Sequence, residues 1–350
     1  MLPDQTPDQA PERAPDSLPL ENPVAGSPLR PPVHSSGFLR TIFWNERELR
    51  AGWRLLVYLL LVILFTTIGT LVAVALHFPQ MSRGSVTAVS ILTQDGLGIL
   101  AALVAAAIMG MLETRRFGDY GLPRAGAFGA PFWQGAAWGI GMITAMMFLI
   151  RSFGGFSFGT LALAGSSVWR YAALWGAAFI VVGLFEEFLF RGYAQFTVAT
   201  GVGFWPAAVA LSALFGAIHL QNSGESRVGA LSVFAIGMFF CLTLRRTGNL
   251  WFAVGLHAAF DWGETFFYSV PDSGLVAPGH LLNSSFHGPV WLTGGSVGPE
   301  GSVMAFGVVA LAAVAFALVY PSPEDAARPS SAGLPADPDP VPPEHQNPPD

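Results

Sequence analysis

The chain has 350 residues, 52% hydrophobic and 11% charged, with a mean hydropathy of +0.50. Such a balance excludes a water-soluble globule and describes a polytopic membrane protein, with the lipid bilayer as its partner and no nucleic acid expected. All 17 basic residues are arginine and Cys241 is the one cysteine, so lysine Schiff-base chemistry, Ser–Lys chemistry, an internal disulfide and a cysteine metal cage are excluded.

The net charge of −6 is concentrated at the ends. Residues 1–36 carry −3 and residues 321–350 carry −5, which leaves +2 for the rest of the chain. Both tails are rich in proline and poor in aliphatics, so they are expected to be disordered. No apolar stretch opens the chain, so no signal peptide is expected.

Hydrophobic spans are predicted at about 53–77, 88–112, 131–150, from near 170 through a Glu-Glu pair, 205–220, 228–244, 250–268 and 302–320. Each approaches the ~20 residues that a helix needs to cross ~30 Å of hydrocarbon. The fold class expected is therefore an all-α polytopic bundle of about eight transmembrane helices. Arg40, Arg47, Arg50, Arg54, Arg115, Arg116, Arg124, Arg245 and Arg246 fall on one side, against Arg83, Arg151, Arg170 and Arg227 on the other. The positive-inside rule then puts both termini in the cytoplasm. Residues 269–301 become an outer loop in which His280, His287 and Glu300 are read as solvated.

Three of these segments carry charge that hydrocarbon does not tolerate: LFEEFLFRG (Glu186, Glu187, Arg191), LFGAIHL (His219) and VGLHAAFDWGE (His257, Asp261, Glu264). A charge at mid-bilayer costs at least ~2.5–3.5 kcal/mol, so these groups are expected to meet one another inside the bundle. Glu187 and Arg191 are four apart and can pair on one helix face, while Glu186 is rotated ~100° away and is left for a water. Phe215 lies one turn from His219. Asp261 lies one turn from His257 and can accept one imidazole N–H, and Glu264 extends the same stripe. For Glu186 to reach the depth of His219, the fourth helix has to run on to about Thr197 and the fifth has to be tilted or short. Asp95 is read as interfacial. The small residues at 97–112 and 133–142 are read as close helix packing.

Glutamate and histidine around a water suit hydrolysis by general-base catalysis, with or without a metal. EEFLFRG, FGAIH and HAAFD, in this order, resemble the EExxxR, FxxxH and Hxxx(N/D) motifs of the CPBP intramembrane endopeptidases. That family includes the type II CAAX prenyl proteases and the bacteriocin-processing or immunity proteins. FGDYGLPR is similar to a stretch common upstream of them. The resemblance implies that Glu186 and His219 activate water, that His257 and Asp261 support the oxyanion, and that Glu187, Arg191 and Phe215 assist. It also implies either zinc on Glu186, His219 and His257 or a metal-independent glutamate mechanism. The implied partner is a membrane protein or a lipidated or leader peptide, and the implied location a bacterial plasma membrane.

The expected organisation is then a tail (1–36), a membrane region of about three helices (37–168), catalytic helices (169–268), an outer loop with the last helix (269–320) and a second tail (321–350). The competing readings are a non-proteolytic immunity or scaffold protein on the same fold and a proton-coupled transporter. No internal repeat between 53–150 and 170–268 supports the transporter.

Overall fold

The structure is a computed structural model, and it describes residues 49–81, 86–275 and 277–321. Residues 1–36 and 322–350, on which the two expected tails fall, lie outside the described residues, as do Arg40, Arg47 and Arg83. The described chain is an all-α bundle of eight principal helices: α1 Ala51–Ala75, α2 Ala88–Glu113, α3 Ala130–Ser152, α4 Ser166–Val202, α5 Phe204–His219, α6 Arg227–Thr247, α7 Trp251–Trp262 and α8 Val303–Val319. Five of them, α1 to α4 and α6, are long and apolar enough to cross a membrane. The protein is thus an integral membrane protein.

Lipid explains the outer surface. Leu60, Ile63, Leu71 and Val74 on α1 and Leu311 and Leu318 on α8 are all more than half exposed. In water such apolar area would cost ~25 cal/mol per Å², and in hydrocarbon it costs nothing. The interior is held instead by close backbone approach. On α3, Gly135 and Gly139 lie against the carbonyls of Phe252 and Leu256 on α7, and Gly255 of α7 lies against the carbonyl of Phe132. A β-carbon at any of the three would run into that backbone. The contact clamps one face of α7, and its other face turns toward α4, where Gly183 packs on Val254, Ala258 and His257. Small residues of α2 act likewise: Gly98 makes room for the Phe185 ring, and Ala102, Ala105 and Ala106 are buried.

Polar contacts collect at the two ends of the bundle, as alternating spans require. At one end Arg54 donates to Thr200 (2.7 Å), Tyr193 donates to Glu113, Leu250 N–H donates to the Gly121 carbonyl (2.8 Å), and Trp251 Nε1 donates to the Pro123 carbonyl (3.0 Å). The FGDYGLPR stretch therefore seats the start of α7, and its Gly121, at φ +86°, makes a turn that favours glycine. At the other end the loop after α7 folds back on the loop after α3. There β1 (Phe156–Ser157) pairs antiparallel with β2 (Ser285–Phe286), the only ribbon among the described residues.

Two departures from regular helix shape the middle. A π-helical stretch, Phe188–Ala194, interrupts α4 within its polar motif, and Gly192 there leaves helical geometry (φ −82°, ψ −120°). A second π turn, Gly263–Tyr268, continues α7. The fourth helix runs past the expected Thr197 to Val202, and α5 is short: 16 residues span ~24 Å. His219 is the last residue of α5, which brings it level with the middle of α4.

Candidate active site

One cavity of about 350 Å³ gathers Glu186 from α4, His219 from α5, and His257 and Asp261 from α7. Its far wall is apolar and includes Val86, Trp175, Phe179 and Leu275. Asp95 of α2 also lines it, so this carboxylate projects into the bundle and is not interfacial as its position near a helix start had suggested.

Glu186 and Glu187 diverge because consecutive helical residues point ~100° apart. Glu186 remains 24% exposed toward the cavity. Glu187 is fully buried and faces inward. Its Oε1 lies 3.3 Å from Arg191 Nη1 and 2.9 Å from His257 Nδ1. The guanidinium of Arg191, also fully buried, sits 4.3 Å from the Phe215 ring centre and 5.3 Å from that of Phe240. Aromatic faces suit a desolvated cation. Gly237 of α6 leaves the space that Arg191 fills.

His257 is thereby held differently from the expectation. The partner on Nδ1 is Glu187, from another helix, and not Asp261. The Asp261 Oδ2 is 3.4 Å and the Glu186 Oε2 3.6 Å from Nε2, the nitrogen on the cavity side. One helical turn brings a carboxylate near the ring edge, but the stronger geometry comes from the carboxylate seventy residues upstream. Phe240 stacks on the ring at 5.1 Å and 21°. His219 is oriented by its own helix: Nδ1 lies 2.8 Å from the Phe215 carbonyl. A carbonyl only accepts, so Nδ1 is the donor, and in the neutral imidazole Nε2 is then the acceptor. The Phe215 ring packs edge-on to both histidines, at 4.7 and 6.4 Å.

Glu264 does not extend the His257–Asp261 stripe into the cavity. The π turn at Gly263 redirects it, and it meets Asp272 and Glu300 instead, with one carboxylate oxygen of each within 4.8 Å of the others. Glu300, expected to be solvated, is 8% exposed because the outer loop folds inward, and its Oε2 accepts the backbone N–H (3.0 Å) and the hydroxyl (2.6 Å) of Ser273. Asp272 accepts from Thr265 (3.1 Å). Burial first, then the charges of Asp261 and Glu300, pushes the Asp272 carboxyl well up. The remaining loop histidines are peripheral: His287 is exposed and His280 bonds the Ala277 carbonyl (3.0 Å).

A zinc ion on Glu186, His219 and His257 requires three donor atoms close around one point. Among the described residues, the one group of three such donors within 4.8 Å of one another is Glu264, Asp272 and Glu300. Glu186, His219 and His257 do not form such a group as placed.

Sequence signal found the cavity's four polar corners. It missed Asp95, Phe240 and the Glu187–His257 bond. Only Asp95 carried a signal, an acid inside a predicted span. Residues 168–263 match the family described as type II CAAX prenyl endopeptidase Rce1-like. No curated protein and no solved structure matches the chain.

Proposed function

We infer the reaction from a chain whose residues 168–263 match the family described as type II CAAX prenyl endopeptidase Rce1-like. The proposal is hydrolysis of one peptide bond in a membrane-associated substrate, CAAX-like or a leader peptide, with water activated between Glu186 and His219. The observation that carries it is the shared cavity, in which a partly exposed glutamate and a histidine held through Nδ1 face a third polar corner at His257.

In the proposed sequence, the Glu186 carboxylate takes a proton from a water that also donates to His219 Nε2. The resulting hydroxide attacks the scissile carbonyl carbon, and the proton on Glu186 then passes to the leaving amine. His257 faces three carboxylates, which only accept: Glu187 at Nδ1, Asp261 and Glu186 at Nε2. As an imidazolium it satisfies both sides and offers Nε2–H to the developing oxyanion. Asp261 then balances the ring's charge and does not touch the oxyanion itself. Glu187 and Arg191 hold the imidazole, and the apolar wall of Val86, Trp175, Phe179 and Leu275 takes a hydrophobic side chain or lipid group of the substrate. The arginine distribution supports an orientation with both termini cytoplasmic, and the family resemblance supports a bacterial plasma membrane.

The test is cleavage by the full chain in detergent of two peptide sets, one prenylated at a C-terminal cysteine and one of unmodified leader sequences. Fragments are read by mass spectrometry, beside His219→Ala. Wild-type cuts that vanish in the variant support the reading. A folded wild type that cuts neither set, or cuts that survive His219→Ala unchanged, would overturn it.

A further inference from the structure

Glu264 poses a problem that the proposed reaction does not solve. Its side chain is completely buried, and neither carboxylate oxygen has a hydrogen-bond partner among the described residues. Among the described residues no arginine or histidine forms a salt bridge with it, with Asp272 or with Glu300. Leaving a buried carboxylate without partners is among the costlier arrangements in a protein interior. Asp272 and Glu300, which among the described residues accept only from the neutral Thr265 and Ser273, converge on Glu264 from separate segments, and three carboxylates so placed call for a positive charge that is not a side chain.

The geometry points to a hard divalent cation of the calcium class, bound by Glu264, Asp272 and Glu300. Three lines agree. The donors are all carboxylate oxygens, which suit calcium, magnesium or manganese and give no nitrogen or sulfur to zinc or copper. They lie within 4.8 Å of one another, and two oxygens at 2.3–2.6 Å from one calcium ion stand at most about 5 Å apart. The surroundings are also cut to leave room. Gly298 has φ +102°, and a β-carbon there would collide with the Pro271 carbonyl and stand 3.1 Å from Glu264 Oε1. A side chain at 298 would therefore push into the space beside the carboxylate.

The ligands mark what the ion would join. Glu264 is on the π turn that ends α7, Asp272 is in the loop just after it, and Glu300 is in the 3₁₀ turn (Pro299–Gly301) that leads into α8. One ion would staple the end of α7 to the start of α8 and fix the loop between them. Asp272 and Glu300 also line the wall of the cavity that holds His257, with Thr265 and Ser273. The site is independent of the proposed reaction, since none of its three residues is given a role there.

The experiment uses the full-length protein in detergent, stripped with chelator and dialysed to equilibrium against radioactive calcium, with thermal unfolding followed in parallel. Wild type is expected to bind about one calcium per chain saturably and to melt several degrees higher with calcium than without, as any ligand of the native state requires. Glu264→Gln and Asp272→Asn are expected to weaken binding by about tenfold or more, because affinity follows the number of charged ligands. Glu186→Gln should bind calcium as wild type does, which separates this site from the reaction's own residues. If Glu264→Gln does not fold, Asp272→Asn, at a less buried position, carries the comparison. No saturable calcium, magnesium or manganese binding by wild type would overturn the assignment. Saturable binding that Glu264→Gln and Asp272→Asn leave unchanged would overturn it too.

Discussion

Around His257, buried acids meet bases; about two turns further along, around Glu264, acids meet other acids and neutral donors but no salt-bridge partner among the described residues. In the first cluster Glu187 shares one oxygen between Arg191 and His257, and two aromatic rings face the guanidinium. In the second, Glu264 has no hydrogen-bond partner among the described residues, and the three carboxylates sit side by side. Each cluster takes a residue from α7 or the π turn that continues it, and both lie in one low-dielectric interior, so their difference is chemical. A cluster of opposite charges holds itself together and can present a spare group, Glu186, to a substrate. A cluster of like charges holds together only when something else supplies the positive charge.

The largest expected effect comes from removing the spare group. Glu186→Gln keeps the shape of the side chain and removes the base, so peptide cleavage should fall ~10²–10⁴-fold. The melting temperature should stay within about two degrees of wild type. Retention of half the wild-type rate would remove Glu186 from water activation.

Breaking the first cluster should act on stability as well. Glu187→Ala leaves the Arg191 charge buried and unpaired, a cost of ~3–5 kcal/mol. Replacing both, Glu187→Ala with Arg191→Met, should recover part of the lost melting temperature. A single variant that expresses and melts like wild type would show that the pair does not hold the bundle.

A smaller and sharper test separates the two carboxylates at His257. Glu187 makes the 2.9 Å bond to Nδ1, whereas Asp261 stands 3.4 Å from Nε2. Glu187→Gln should therefore lower the rate by ~10–100-fold, as loss of an orienting partner does. Asp261→Asn should cost less than about tenfold. The reverse order of effects would return Asp261 to the orienting role that helical spacing alone suggested.

How far the sequence reached follows from where each signal was stored. Eight apolar runs of near-membrane length translate into eight helices because hydrophobicity is a local property. The polar corners Glu186, His219, His257 and Asp261 stand out because each interrupts such a run. Contacts between helices are not local, and no spacing within α4 or α7 states that Glu187 reaches His257. The outer loop was the hardest part. Glu300 and Asp272 lie among Gly, Pro and Ser, where acids are ordinarily solvated, and their burial depends on a loop folding back to the end of α7. Glu264 was assigned to the wrong cluster because regular 3.6-residue periodicity carried it along the His257 face, and one π turn broke that periodicity.

The smallest predicted effect belongs to the second cluster. In buffer free of divalent cations, Glu264→Gln removes a like charge and should raise the melting temperature by on the order of a few degrees. With calcium present the order should reverse, wild type melting above the variant. A variant that is less stable in both conditions would mean that the Glu264 charge is compensated by the protein alone.

The most direct test of the central claim, that Glu186 and His219 drive a water onto a peptide carbonyl, is cleavage in ¹⁸O-enriched water by wild type and Glu186→Gln side by side. A peptide that wild type cuts should carry one ¹⁸O in its new C-terminal carboxylate after a single turnover, and Glu186→Gln should yield no labelled product above background. Labelled product formed equally fast by both proteins, or a wild-type product without ¹⁸O, would contradict the account.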